Sequence, residues 1–184
     1  MLLLKNGNVM TMAGPAFVGD VAIENGKIVA VGQSLSYSDA EVRDVTGMTV
    51  MPGIVDPHCH IGMWEDAMGF EGADGNECTN PITPELRAID AINPYDRCFE
   101  EAVAGGVTTC VTGPGSANVI GGQFVAIKTH GDSVEDMVLR FPVAVKAAFG
   151  ENPKRVYNGK NQTPSTRMAT AALMRKALVE AQEY

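Results

Sequence analysis

The chain has 184 residues and is 45% hydrophobic, enough to build a real core in one medium domain or two small ones, and nothing in it suggests disorder. A formal net charge of −8 with no visible basic patch excludes a nucleic-acid partner. No apolar run approaches the ~20 residues of a membrane helix, and Met1-Leu2-Leu3-Leu4-Lys5 is too short for a signal sequence, so no membrane association and a cytoplasmic location are expected.

The first fifty residues read as short strands broken by turn signals: Leu2-Leu3-Leu4, Val9 to Met12, Val18 to Glu24 and Ile28 to Val31, with turns at Lys5-Asn6-Gly7 and Asn25-Gly26-Lys27. Asn-Gly between two alternating apolar runs is a hairpin signal, because both residues accept positive φ cheaply. Residues 1–51 therefore form a small all-β unit, and 52–184 a second region.

From about Val50 the pattern changes to apolar strand, loop and helix. Thr49 to Val55 is a continuous apolar run ending in Asp56-Pro57-His58-Cys59-His60, which predicts a strand buried on both faces. Pro94 to Gly106 has helical periodicity through Tyr95, Cys98, Phe99, Ala102 and Val103, and stops at Gly105-Gly106. A second buried strand is predicted at Val107 to Thr112, followed by a glycine-rich loop from Gly113 to Gln123. A helical piece around Ser133 to Leu139 then leads to a third strand, Pro142 to Phe149, and a polar loop follows Gly150-Glu151-Asn152-Pro153. A final helix starts near Thr163-Pro164-Ser165-Thr166 and is apolar at Met168, Ala171, Ala172, Met174 and Leu178. Strands alternating with helices imply a parallel α/β sheet. Three such strands close neither a barrel nor a doubly wound sheet, so the chain reads as half of something larger.

Residues i and i+2 on a strand point the same way, so His58 and His60 can face one ion while Cys59 faces away. Zinc and similar ions take imidazole nitrogen at roughly 2.0–2.1 Å, and an open coordination position lowers the pKa of a bound water towards ~7. An isolated His-x-His can also be surface decoration. Its place at the C-terminal end of a buried strand favours the ligand reading, since barrel enzymes build their sites there. The four cysteines, Cys59, Cys78, Cys98 and Cys110, show no CxxC pair and are expected to be reduced thiols.

A small β unit followed by Pro52-Gly53-Ile54-Val55-Asp56-Pro57-His58-Cys59-His60 resembles the amidohydrolase superfamily, with its Pro-Gly-hydrophobic-hydrophobic-Asp-x-His-x-His signature. The likeness continues through Gly105-Gly106-Val107-Thr108-Thr109-Cys110-Val111. Phe149 to Tyr157 and Thr163 to Met168 are similar to the imidazolonepropionase-related members. The resemblance implies a metal-dependent hydrolase acting on an amide-like or cyclic C–N bond of a small molecule. It also implies an α/β fold, a partial (β/α)8 TIM barrel in 52–184 preceded by a β-sandwich segment in 1–51, with one or two divalent ions, zinc first among them. The family's later histidines and its aspartate base would fall beyond Tyr184, leaving the catalytic residue unassigned. His130, in Lys128-Thr129-His130-Gly131, is expected in a loop rather than at the metal.

Members of this family bridge two metals with a carboxylated lysine or a glutamate, and the chain offers both. Lys146 lies in the apolar run Val143 to Phe149, where an unpaired ammonium is costly unless its stem reaches solvent. Glu151 follows the strand end, where a carboxylate binds cations unmodified or simply caps a loop. Glu151 is favoured, because the family's glutamate sits at the third strand's end, and Lys146 stays open.

The Gly113–Gln123 stretch lacks the Gly-Lys-Ser/Thr of a phosphate loop, which speaks against a doubly wound nucleotide-binding domain. Ser116, Asn118 and Gln123 are candidate substrate contacts, although tight backbone geometry explains the glycines equally well. Trp64, Glu65 and Asp66, with the run Glu71 to Asn80, form a candidate lid or specificity loop. The remaining alternative is a non-catalytic half-barrel that serves as a structural or binding subunit. Either way, the open sheet edges predict association, with the rest of the barrel as a second fragment or chain or in an oligomer.

Overall fold

Five short strands build the N-terminal sheet: β1 (Leu2–Val9), β2 (Phe17–Glu24), β3 (Lys27–Gly32), β4 (Glu41–Asp44) and β5 (Thr49–Val50). In the computed structural model, which describes residues 1–66 and 68–184, they lie in the order β3-β2-β1-β4, with β5 also paired to β1. β2 and β3 pair antiparallel across Asn25 and Gly26, whose φ values of +51° and +72° are those of a type I′ turn. The turn expected at Lys5-Asn6-Gly7 is instead a bulge inside one continuous β1, and Val9 ends that strand rather than starting another. The cause is Asp20, which is 2% exposed. Its carboxylate accepts the backbone N–H of Asn6 at 2.9 Å and of Leu35 at 2.8 Å, with Lys5 Nζ at 3.8 Å. A buried carboxylate needs such donors, and the bulge turns the Asn6 amide towards it.

The apolar run from Thr49 to Val55 is not one strand. Met51-Pro52-Gly53 interrupts it, and the chain divides into two units at Gly53/Ile54, so that β5 belongs to the first and β6 (Ile54–Cys59) to the second. In the second unit β6 is followed by the helix α1 (Arg97–Ala104), β7 (Val107–Thr112), β8 (Ile120–Lys128), the single turn α2 (Val134–Met137), β9 (Val138–Ala147), and the helices α3 (Glu151–Asn158) and α4 (Arg167–Glu183).

The sheet order is β6-β7-β8-β9. Only β6 and β7, joined through α1, are parallel; β8 runs antiparallel to both β7 and β9. The expected all-parallel sheet is thus corrected in its second half, because the segment read as a glycine-rich loop turns at Gly113–Asn118 and returns as β8. The expected burial of β6 on both faces is also corrected: Ile54 is 48% and Val55 57% exposed. Its apolar sequence marks a face that no described residue covers.

Helix starts follow local chemistry. Asp96 caps α1 by accepting the N–H of Cys98, Ser133 caps α2 through Asp136, and Thr166 caps α4 through Ala169. Helix α3 occupies what the sequence presents as a polar loop. Its Pro153 lies in the first turn, where the lost N–H costs nothing, and Tyr157 anchors it at 0% exposure. In α4 only Met174 of the apolar stripe is buried, beside Val119 and Ile120, whereas Met168 and Leu178 face solvent. The main core gathers Met63, Ile92, Phe99, Cys110, Val125, Ile127 and Met137 between α1, α2 and the sheet. No helix among the described residues is long and apolar enough to cross a membrane.

Candidate metal centre

The end of β6 carries the histidines. Asp56 accepts the N–H of His58 at 3.0 Å, a local bond two residues long that shapes the backbone at the strand end. Cys59 turns to the opposite side, packing on the main core with its Sγ 3.7 Å from the Val111 carbonyl. The two imidazoles meet edge to face, with centroids 5.4 Å apart and planes at 80°. A tetrahedral ion about 2.1 Å from each nitrogen would hold two imidazole centres about 5 Å apart. On that measure His58 and His60 fit one ion.

Both rings rest against Phe124 of β8, at 5.3 Å for His58 and 6.4 Å for His60. Phe124 is 4% exposed and forms the floor of the site. His60 Nδ1 lies 2.7 Å from the Gly113 carbonyl, which can only accept. Nδ1 is therefore the donor in this contact, and in the neutral ring that assignment puts the lone pair on Nε2. On the other side Trp64 meets His60 edge-on at 5.5 Å.

Lys146 reaches this pair from β9. Its Nζ lies 3.4 Å from His58 Nε2 and 5.7 Å from the centre of the Phe124 ring. Partial burial lowers its pKa from the ordinary lysine value, which increases the share of neutral amine. His58, Lys146, Phe124, Val111 and Ala144 line a depression of about 250 Å³. Glu151 stands elsewhere. It opens α3 and lines a separate depression of about 310 Å³ with Lys154, Arg155, Asn158 and Ser165. Among the described residues no three His, Cys, Asp or Glu side chains gather at metal-binding distance, so Glu151 does not join the histidine pair here.

The three candidate substrate contacts are dispersed. Asn118, 1% exposed, is a bolt for the distant segment 77–83 that follows β6, its Nδ2 donating to the Glu77 carbonyl at 2.6 Å, the Asn80 carbonyl at 2.8 Å and Thr83 Oγ1 at 3.2 Å. Gln123 donates its Nε2 to the Pro84 carbonyl at 2.9 Å. Ser116 is half-buried, and its hydroxyl has no hydrogen bond among the described residues. His130 is exposed in the loop before α2. All four cysteines are free. The residue that sequence reasoning missed is Phe124. Its only sequence signal is the β-forming run Phe124-Val125-Ala126-Ile127, which directly follows the glycines.

No family model matches the chain. It is 35% identical over 186 aligned residues to the amidohydrolase tasK of Hapsidospora irregularis, which covers 91% of the chain and 19% of that relative. It is 46% identical over 61 residues to a D-hydantoinase of Geobacillus stearothermophilus, covering 33% of the chain and 13% of the relative. The crystal structure of an amidohydrolase from Thermotoga maritima superposes with a TM-score of 0.96 at 46% identity, over 100% of this chain and 48% of the other. The chain thus spans about a fifth of the first relative and about half of the solved structure. Because likeness in sequence extends over nine-tenths of the chain and is matched by likeness in backbone, it belongs to the amidohydrolase superfamily, matching the N-terminal portion of its larger members.

Proposed function

We propose that the protein is a metal-dependent hydrolase that opens an amide-like or cyclic C–N bond in a small molecule, with His58 and His60 as its first metal ligands and Lys146 beside them. The observation that carries the reading is the pair at the end of β6: two imidazoles 5.4 Å apart, with a half-buried amine 3.4 Å from one of them. A divalent ion held there, zinc by the chemistry of the donors, would supply a hydroxide-like nucleophile at neutral pH. His60 offers Nε2 because Gly113 fixes the proton on Nδ1. Phe124 keeps water from the base of the site. Lys146 contributes either as the amine itself or as the carbamate that a neutral amine forms with carbon dioxide.

The remaining ligands and the general base lie in the length that larger relatives carry and this chain does not span. That length would also cover the exposed faces of β6 and β9, completing a TIM barrel of which residues 54–184 are the opening part. Residues 1–53 would belong to the flanking small β-sandwich. The relative named D-hydantoinase acts by that name on hydantoins, whose ring is a cyclic amide, which supports a substrate of this kind.

The test is turnover of a panel of hydantoins, dihydropyrimidines and N-acyl amino acids by the whole protein. Ring or amide opening that a chelator abolishes and zinc restores is the expected result. Turnover that survives complete removal of metal would refute the proposal.

A further inference from the structure

The loops that follow β6 and β7 close a circuit of contacts around His60. Trp64 meets the imidazole edge-on, with centroids 5.5 Å apart and planes at 74°. The six-membered ring of its indole lies directly on Gly75, where a β-carbon would overlap Cη2, Cζ3 and Cζ2. Gly75 is buried, and its carbonyl accepts the N–H of Gly115 at 2.8 Å. Two residues earlier in the same loop, the Gly113 carbonyl holds His60 Nδ1 at 2.7 Å. Gly113 is itself pressed against the Phe124 ring, where a β-carbon would overlap the ring atoms.

The circuit runs from His60 to Trp64, Gly75, Gly115, Gly113 and back to His60. It depends on glycine for space rather than for backbone freedom, since neither Gly75 nor Gly113 has positive φ. Trp64 is held in place by its bridge to Ala73 and by Glu65 N–H on the Gly72 carbonyl at 3.0 Å.

We propose that Trp64, seated on Gly75, is a positioning residue for His60: the indole sets the imidazole plane, and the Gly113 carbonyl then holds the ring in the Nδ1-protonated form that leaves Nε2 free. The inference rests on the reading of His60 as a metal ligand. Partners of this kind, which orient a ligating imidazole, change metal affinity by about 10–100-fold when removed.

The test uses the whole protein labelled with 15N-histidine and stripped of metal. Long-range 1H–15N correlation reads the tautomer of His60, assigned by the signal that His60→Gln removes. A single Nδ1–H tautomer is expected in the native protein. In Trp64→Leu and in Gly75→Ala, a mixture of tautomers is expected and zinc affinity falls about tenfold or more, with His58 signals and circular dichroism unchanged. Trp64→Phe, which lacks the overlapping ring atoms, restores the single tautomer in the Gly75→Ala background. A single Nδ1–H tautomer with native zinc affinity in Trp64→Leu overturns the proposal. Tautomer loss in Trp64→Leu together with no zinc binding by the native protein supports the positioning role and overturns the metal reading, so the two fail separately.

Discussion

Lys146 Nζ and His58 Nε2 lie 3.4 Å apart across 88 residues of sequence: β9, antiparallel to β8, runs in the direction of β6 and ends at the same end of the sheet, and the two side chains meet across the intervening β7 and β8. The contact is the ground for proposing Lys146 rather than Glu151 as the bridging residue. Glu151, five positions further on, opens a helix and faces another depression.

Lys146→Met is therefore expected to weaken metal retention on the order of tenfold or more, with Glu151→Gln close to the native protein. Equilibrium dialysis against zinc followed by elemental analysis reads both. The reverse ranking would return the bridging role to Glu151.

Asn118 is expected to act on stability rather than on substrate. Truncation to alanine removes the donor that the partly buried Glu77 and Asn80 bonds and the buried Thr83 bond share, at a cost of about 0.5–1.5 kcal/mol. Chemical denaturation of Asn118→Ala should show a lower midpoint, with KM unchanged once the variant is folded. A raised KM at native stability would restore Asn118 as a substrate contact.

Cys110, 2% exposed in β7, has its thiol pKa pushed up to about 12 by burial first and by neighbouring Cys59 second. Cys98 is pushed up to about 12, again chiefly by burial, with Asp96 adding to the shift. A thiol whose folded pKa exceeds the unfolded one stabilises the fold fully below about pH 9 and loses that contribution as pH climbs towards 12. The melting temperature should fall across this window, and by less in Cys110→Ala than in the native chain. At pH 8 a thiol reagent should modify Cys110 only on unfolding. Rapid labelling of Cys110 in the folded protein would contradict its placement.

Much of this was legible from residue order, and the exceptions have physical causes. The Asn25-Gly26 hairpin and the limits of β7 follow from turn chemistry and a bounded apolar run. The common orientation of His58 and His60, with Cys59 opposed, follows from the two-residue period of a strand. β8 was hidden because Gly121 and Gly122 look like loop while serving close approach, Gly122 to the Leu86 backbone. Helix α3 was hidden because it is polar and contains Pro153, so neither propensity nor periodicity reveals the anchoring by Tyr157. The bulge at Asn6 was hidden because its cause is Asp20, fourteen residues away. The Lys146–His58 contact depends on the antiparallel return, which an alternating strand-helix pattern does not announce.

The most direct test of the account is metal content of the whole protein against its His58→Ala/His60→Ala variant, both saturated with zinc, dialysed and analysed by inductively coupled plasma mass spectrometry with circular dichroism in parallel. The account predicts bound zinc in the native protein and its loss in the variant at unchanged fold. Full zinc occupancy in the folded variant would contradict it.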